Sequence, residues 1–169
     1  MSLATLRSRA QFGIDAPSVT IEAHLTGGLP ALAIVGLPET AVREARDRVR
    51  SALLNSGFEF PARRVTINLA PADLPKEGGR FDLGIALAIL AASGQLPAGC
   101  LEGYEFIGAL GLGGELRPVR GLLPVALQAQ PAGARLVFPH ANPAEAALAP
   151  ALAASRPALP LALFRHLTP

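Results

Sequence analysis

The run Asp82–Ala92, Asp-Leu-Gly-Ile-Ala-Leu-Ala-Ile-Leu-Ala-Ala, is apolar nearly all round. A helix without a polar face cannot rest on a surface, so these residues predict a helix buried inside the molecule. The chain has the means to bury it: its 169 residues suit one domain, or one domain with an ordered tail, and 50% of them are apolar. Tryptophan is absent and aromatics make up only 5%, so Ala, Leu, Val and Ile have to fill the core.

The elements around that helix follow from periodicity. Residues 2–12 and 18–26 read as strands; in Val19–Leu25 apolar residues alternate with Thr20, Glu22 and His24, as in a half-buried strand. After the Gly27-Gly28 turn, Ala31–Val35 is a short apolar strand ending at Gly36. Pro38 suits the first turn of a helix, and Glu39 adds a carboxylate at its positive end. Val42, Ala45, Val49 and Leu53 then form one apolar stripe, which Gly57 stops. Val65–Leu69 is a strand leading into the Pro- and Gly-punctuated loop Ala70–Gly79, and Asp82 is placed to cap the buried helix. Tyr104–Leu110 and Glu115–Val119 predict a hairpin turned by Gly113-Gly114. Leu122–Ala129 predicts a helix with Pro124 in its first turn. Leu136–Phe138 reads as a strand, Pro143–Leu148 as a short helix and Leu161–Phe164 as a last strand. The Ala- and Pro-rich segment 149–160 is either a loop before an edge strand or the start of a linker. This order predicts an α/β (α+β) domain with a mixed sheet flanked by helices.

Several kinds of chemistry are missing. No GxxxxGK[ST] phosphate loop occurs, since the only lysine, Lys76, is followed by Glu77. No GxGxxG opens a helix after a strand, and no GxSxG elbow exists. His24, His140 and His166 are far apart and form no HxxxH pattern, so no metal site is expected. The acid pairs Asp73/Glu77 and Glu102/Glu105 read as solvated loop acids. A single cysteine, Cys100, excludes an internal disulfide and fits a reducing compartment, most simply the cytoplasm. The opening MSLATLRSRA lacks the apolar run of a signal peptide, and no stretch of about eighteen apolar residues is free of charge or proline. All but one of the 15 basic residues are arginine, and the net charge is only +2. Positive charge therefore comes as planar guanidinium, suited to phosphate and carboxylate, although a GC-rich coding sequence gives the same enrichment.

Three segments carry most of the information: Val35-Gly36-Leu37-Pro38-Glu39 running on to Arg50, Ile67-Asn68-Leu69-Ala70-Pro71-Ala72-Asp73-Leu74-Pro75-Lys76-Glu77-Gly78-Gly79-Arg80-Phe81-Asp82-Leu83, and Gly113-Gly114-Glu115-Leu116-Arg117-Pro118-Val119-Arg120-Gly121. Together they closely resemble the N-terminal, Lon-protease-like (ChlI-type) domain of the ComM/YifB family of magnesium-chelatase-like AAA+ proteins, from residue 1 to about residue 165. The resemblance implies a ribosomal protein S5 domain 2-like fold. It also implies a downstream AAA+ motor, which would bring the ATP and Mg, and a cytoplasmic hexamer driving DNA branch migration in natural transformation and recombination. Cofactors are not expected within this chain. Lon-type peptidases carry their serine in a Lys-Asp-Gly-Pro-Ser-Ala-Gly-like segment; the matching Lys76–Asp82 has Arg80 at that place, and Leu123 stands where the base lysine belongs. The Ser–Lys dyad is therefore missing, no catalytic residue is expected, and the chain alone is not expected to be an enzyme.

The remaining candidates are basic. Arg43, Arg46 and Arg50 recur at i, i+3 and i+7 on the first helix, Lys76 and Arg80 flank a Gly-rich turn, and Arg117 and Arg120 flank the third segment. Two readings stay open. Glu39, Glu44, Asp47 and Glu77 can pair with these bases as solvated charges, or the bases can meet single-stranded or branched DNA, or the neighbouring protomer of a ring. The glycine-rich loops make Lys76, Arg80, Arg117 and Arg120 the stronger candidates. A protein–protein adaptor without DNA contact is the competing function, and no membrane partner is expected.

Overall fold

The computed structural model describes residues 2–76, 78–139, 156–158 and Phe164. Strands β1 (Leu3–Arg9), β2 (Ser18–Thr26) and β3 (Ala31–Val35) precede helix α1 (Glu39–Asn55) and β4 (Arg64–Ala70). Helix α2 (Asp82–Ala92) leads through a 3-10 turn to β5 (Tyr104–Phe106), β6 (Ala109–Leu110) and β7 (Leu116–Arg117). Helix α3 (Leu122–Ala129), β8 (Arg135–Pro139) and β9 (Arg156–Ala158) follow.

Seven strands form one mixed sheet in the order β3-β4-β2-β1-β5-β8-β9, while β6 and β7 pair in a separate antiparallel ribbon. Strand β2 runs antiparallel to both of its neighbours, β4 and β1, whereas β3 is parallel to β4, and β1, β5, β8 and β9 are mutually parallel. The expected α/β class with a mixed sheet is what the chain adopts. Every residue of α2 is buried, as an all-round apolar helix requires, and it packs on β1, β2 and α1. Gly84 permits that approach, because a Cβ there would collide with Cδ1 of Ile21. On α1, Ala45, Val49, Ala52 and Leu53 are buried and Val42 packs against the core, with Pro38 as the N-cap residue rather than within the first turn.

Alternation along β8 shows that α3 lies on the other side of the sheet. Leu136 and Phe138 pack with Leu122, Val125 and Ala126 of α3, while Val137 joins the core around α2. The sheet is thus covered on one face by α1 and α2 and at one end of the other face by α3.

Several expectations are corrected. The first strand ends at Arg9 rather than residue 12, because Ala10 N donates to Pro17 O and Phe12 and Asp15 close a turn. Tyr104–Leu110 is not one strand: Gly108 N donates to Arg80 O and Gly108 O accepts from Leu83 N, so the chain leaves the sheet there to bind the start of α2. Asp82 is the first residue of α2, not its cap, and its carboxylate is engaged elsewhere. Within the Ala- and Pro-rich segment, Arg156–Ala158 is itself an edge strand, a position that tolerates Pro157. The helix expected at Pro143–Leu148 and residues 161–163 of the expected last strand lie outside the described residues; Phe164 belongs to no strand and is buried in the main core.

Candidate functional site

The second and third information-rich segments, far apart in sequence, meet at one open cleft of about 320 Å3 lined by Gln11, Gly78, Gly79, Arg80, Ala109, Pro118, Val119 and Arg120. Main-chain bonds and one side-chain bond hold the walls together. The bonds of Gly108 tie the ribbon to the start of α2, and Arg80 Nη2 donates to Arg120 O at 2.8 Å, joining the two loops. Gly78 takes a left-handed φ of 67°, and a Cβ on Gly79 would press on Asp82, Ala109 and Arg48. Gly121, at φ 72°, ends the third segment and starts α3; a Cβ there would run into the Gln11 side chain.

Arg80 is only 6% exposed, and its Nε has no hydrogen-bond partner. Burial pushes its guanidinium below its ordinary pKa. Asp82 does not compensate it. The Asp82 carboxylate accepts from Arg48 Nε at 2.6 Å, Arg48 Nη2 at 3.2 Å and Leu110 N at 3.1 Å, and Arg48 is held above its usual value mainly by that bond. Lys76 is 4% exposed and turned inward, donating from Nζ to Pro71 O at 2.5 Å and Leu74 O at 3.0 Å. Burial lowers its pKa, with Asp73 opposing.

Of the bases predicted for contact, then, Arg80 and Arg120 are brought together in the cleft, and Lys76 serves its own loop instead. Arg117 is exposed and pairs with Glu115 at 2.8 Å, an ordinary solvated pair whose effect is to lower the Glu115 pKa, after the backbone bond that does so most. Arg43 and Arg50 are exposed on α1 and Arg46 is half-buried; Arg50 lies over the Phe60 ring, 4.8 Å from its centroid. The base of α1 that does reach across the molecule, Arg48, falls outside the i, i+3, i+7 set. An aspartate heading an otherwise apolar helix was the available signal, since it demands a counter-charge.

A second omission lies beyond the cleft. Glu105, read as a solvated acid, is 2% exposed and forms a fork with Arg9 (Nε–Oε2 2.6 Å, Nη2–Oε1 2.9 Å), while Arg9 Nη1 donates to Ala16 O. His24 is exposed on β2, and His140 and His166 lie outside the described residues. Among the described residues no group of three or more His, Cys, Asp or Glu could hold a metal, and no helix is long and apolar enough to cross a membrane.

Residues 21–142 match the family described as subunit ChlI of Mg-chelatase, a span that includes both walls of the cleft. The chain is 59% identical over 148 residues to YifB of Salmonella typhimurium and 57% identical over 148 residues to the competence protein ComM of Haemophilus influenzae, in each case over 88% of this chain. The chain belongs to the ComM/YifB family. An uncharacterised protein of Mycobacterium bovis is 44% identical over 149 residues. The chain spans 29% of the length of the YifB and ComM relatives and 30% of the mycobacterial one, so it corresponds to one ChlI-type part of much longer proteins.

Proposed function

We propose that this chain is the non-catalytic ChlI-type domain of a ComM-like AAA+ motor for DNA branch migration, contributing DNA contact or ring assembly. The carrying observation is the cleft that joins Arg80 to the Arg120 loop. On the resemblance to Lon-type domains the serine position falls at this cleft, where Arg80 stands, and Leu123, in α3, stands where the base lysine belongs. The chain's one lysine is bonded to the carbonyls of its own loop. What remains is positive charge: Arg120 at the cleft, with Arg43, Arg50 and Arg117 exposed elsewhere. A competence protein among the relatives supports a role in handling incoming DNA, which the reading sets in the cytoplasm and in recombination. ATP and Mg belong to the motor expected downstream, and the neighbouring protomers of a hexamer are the protein partners.

The test is salt-dependent binding of single-stranded and branched DNA, together with solution mass, for the wild type and for Arg120→Glu combined with Arg43→Glu. Each lost phosphate contact lowers the slope of log affinity against log salt by about 1. Arg80→Glu is unsuitable, because it would place an acid in a buried site. Unchanged DNA binding at low salt together with unchanged mass overturns the proposal.

A second reading, a protein–protein adaptor, is favoured by the turn that closes β1 to β2, where Phe12 is 59% and Ile14 87% exposed. Replacing both with Ser would then abolish partner capture and leave DNA binding intact.

A further inference from the structure

The Arg80 guanidinium is a buried cation with an unfilled donor. Its Nη2 has the carbonyl of Arg120, its Nε has nothing, and no acid among the described residues pairs with it. The neighbouring Asp82 is fully committed to Arg48 and the Leu110 amide. A buried charge without a counter-ion is expensive, and proteins normally pair such groups or bond them to an ion. Arg80 also lines an open cleft, where its remaining 6% exposure lets an anion from solvent reach the guanidinium while Nε itself stays buried.

We propose that the cleft between the Gly78–Arg80 turn and the Pro118–Arg120 loop is a receptor for a phosphate group, held by Arg80 on the floor and Arg120 at the mouth. The two cations come from separate loops that line the same cleft, so one ligand can be approached from both. A tetrahedral dianion can accept from both, whereas a planar carboxylate is matched by a single guanidinium fork. Gln11, also on the wall, adds a neutral side-chain amide, and no described acid lines the cleft to repel an anion. The remaining wall is glycine, alanine, proline and valine, which leaves the main chain open to close approach. The phosphate can belong to a DNA backbone or to a small molecule such as a nucleotide; the cleft recognises the shared group. The inference therefore stands on the cleft itself and not on the DNA reading.

The test is a titration of the chain with inorganic phosphate at constant ionic strength, replacing chloride and following the amide NMR signals of Gly78, Gly79 and Gly108. Saturable shifts are expected in the wild type, absent in Arg80→Gln and with affinity weakened roughly tenfold in Arg120→Gln, the loss of one charge-assisted bond. No saturation, or equal saturation in Arg80→Gln, overturns the proposal. Acetate binding as tightly as phosphate also overturns it, in favour of a carboxylate. Should Arg80→Gln not fold, the exposed Arg120→Gln decides alone: unchanged affinity sinks the idea. A single-stranded oligonucleotide that displaces phosphate identifies the DNA backbone as the source, and a mononucleotide that does so alone identifies a small ligand. DNA binding without phosphate binding refutes the receptor and spares the DNA reading; the reverse result refutes the DNA reading only.

Discussion

Replacing Arg9 with Met should be among the most damaging single changes outside the apolar core. The Arg9 side chain is 9% exposed and its Glu105 partner 2%, and they share two bonds in a fork. Removing the guanidinium strands a carboxylate that has no other partner among the described residues. Breaking one side of a buried pair costs about 3–5 kcal/mol, a large share of the roughly 5–15 kcal/mol that holds a domain folded. For a domain of this size that corresponds to a fall in Tm of roughly 6–20 °C. Glu105→Leu should cost a similar amount, leaving Arg9 with only the Ala16 carbonyl. The double variant is the discriminating one. With both charges gone nothing is stranded except Ala16 O, worth about 1–3 kcal/mol, and apolar contact offsets part of that, so the double should be more stable than either single. Urea unfolding at neutral pH, followed by far-UV circular dichroism, supplies the three differences. If the double loses the sum of the singles, or Arg9→Met costs under about 1 kcal/mol, then the fork is not acting as a desolvated ion pair.

Two further changes test the backbone and the buried lysine. Gly36 sits at φ 99°, and an added Cβ would run into Leu69 O; Gly36→Ala should therefore cost about 2 kcal/mol or more in urea unfolding, and a neutral result would refute the close approach of β3 to β4 there. Burial holds the Lys76 ammonium below its unfolded value of 10.5, so between its folded and unfolded pKa the unfolded chain binds more protons and stability rises with pH. Lys76→Met should flatten that alkaline rise while lowering stability overall, and an unchanged slope would show that Lys76 is not the group responsible.

Local patterns in the sequence were enough to place β2, β3, α2 and α3, whose spans agree with those predicted from them. Alternation and all-round apolarity are decided by neighbours a few residues away. Features decided by distant partners were not legible. Nothing near Gly108 says that its peptide will bond to Arg80 and Leu83, so the split between β5 and β6 has no local signature. Arg9 and Glu105 are ordinary strand charges until β1 and β5 pair. The spacing of Arg43, Arg46 and Arg50 marks one side of α1, whereas Arg48 reaches Asp82 of α2. For the cleft, the residues Arg80 and Arg120 could be singled out, but neither the burial of Arg80 nor the direct bond between the loops follows from spacing.

The role of Gly108 bears on how such a site can change over time. Its N–H and carbonyl fasten the ribbon to the head of α2, and the Arg80 to Arg120 link also ends on a main-chain oxygen. Apart from the Arg80 guanidinium, the frame of the cleft is therefore written in peptide groups, which every residue type but proline supplies in full. Side chains projecting into it can be exchanged one at a time while the frame keeps its shape. A lineage can in this way abandon one chemistry and adopt another without refolding, and at Gly108 itself a side chain would meet Leu116 at 3.1 Å, close enough that the neighbour would have to give way.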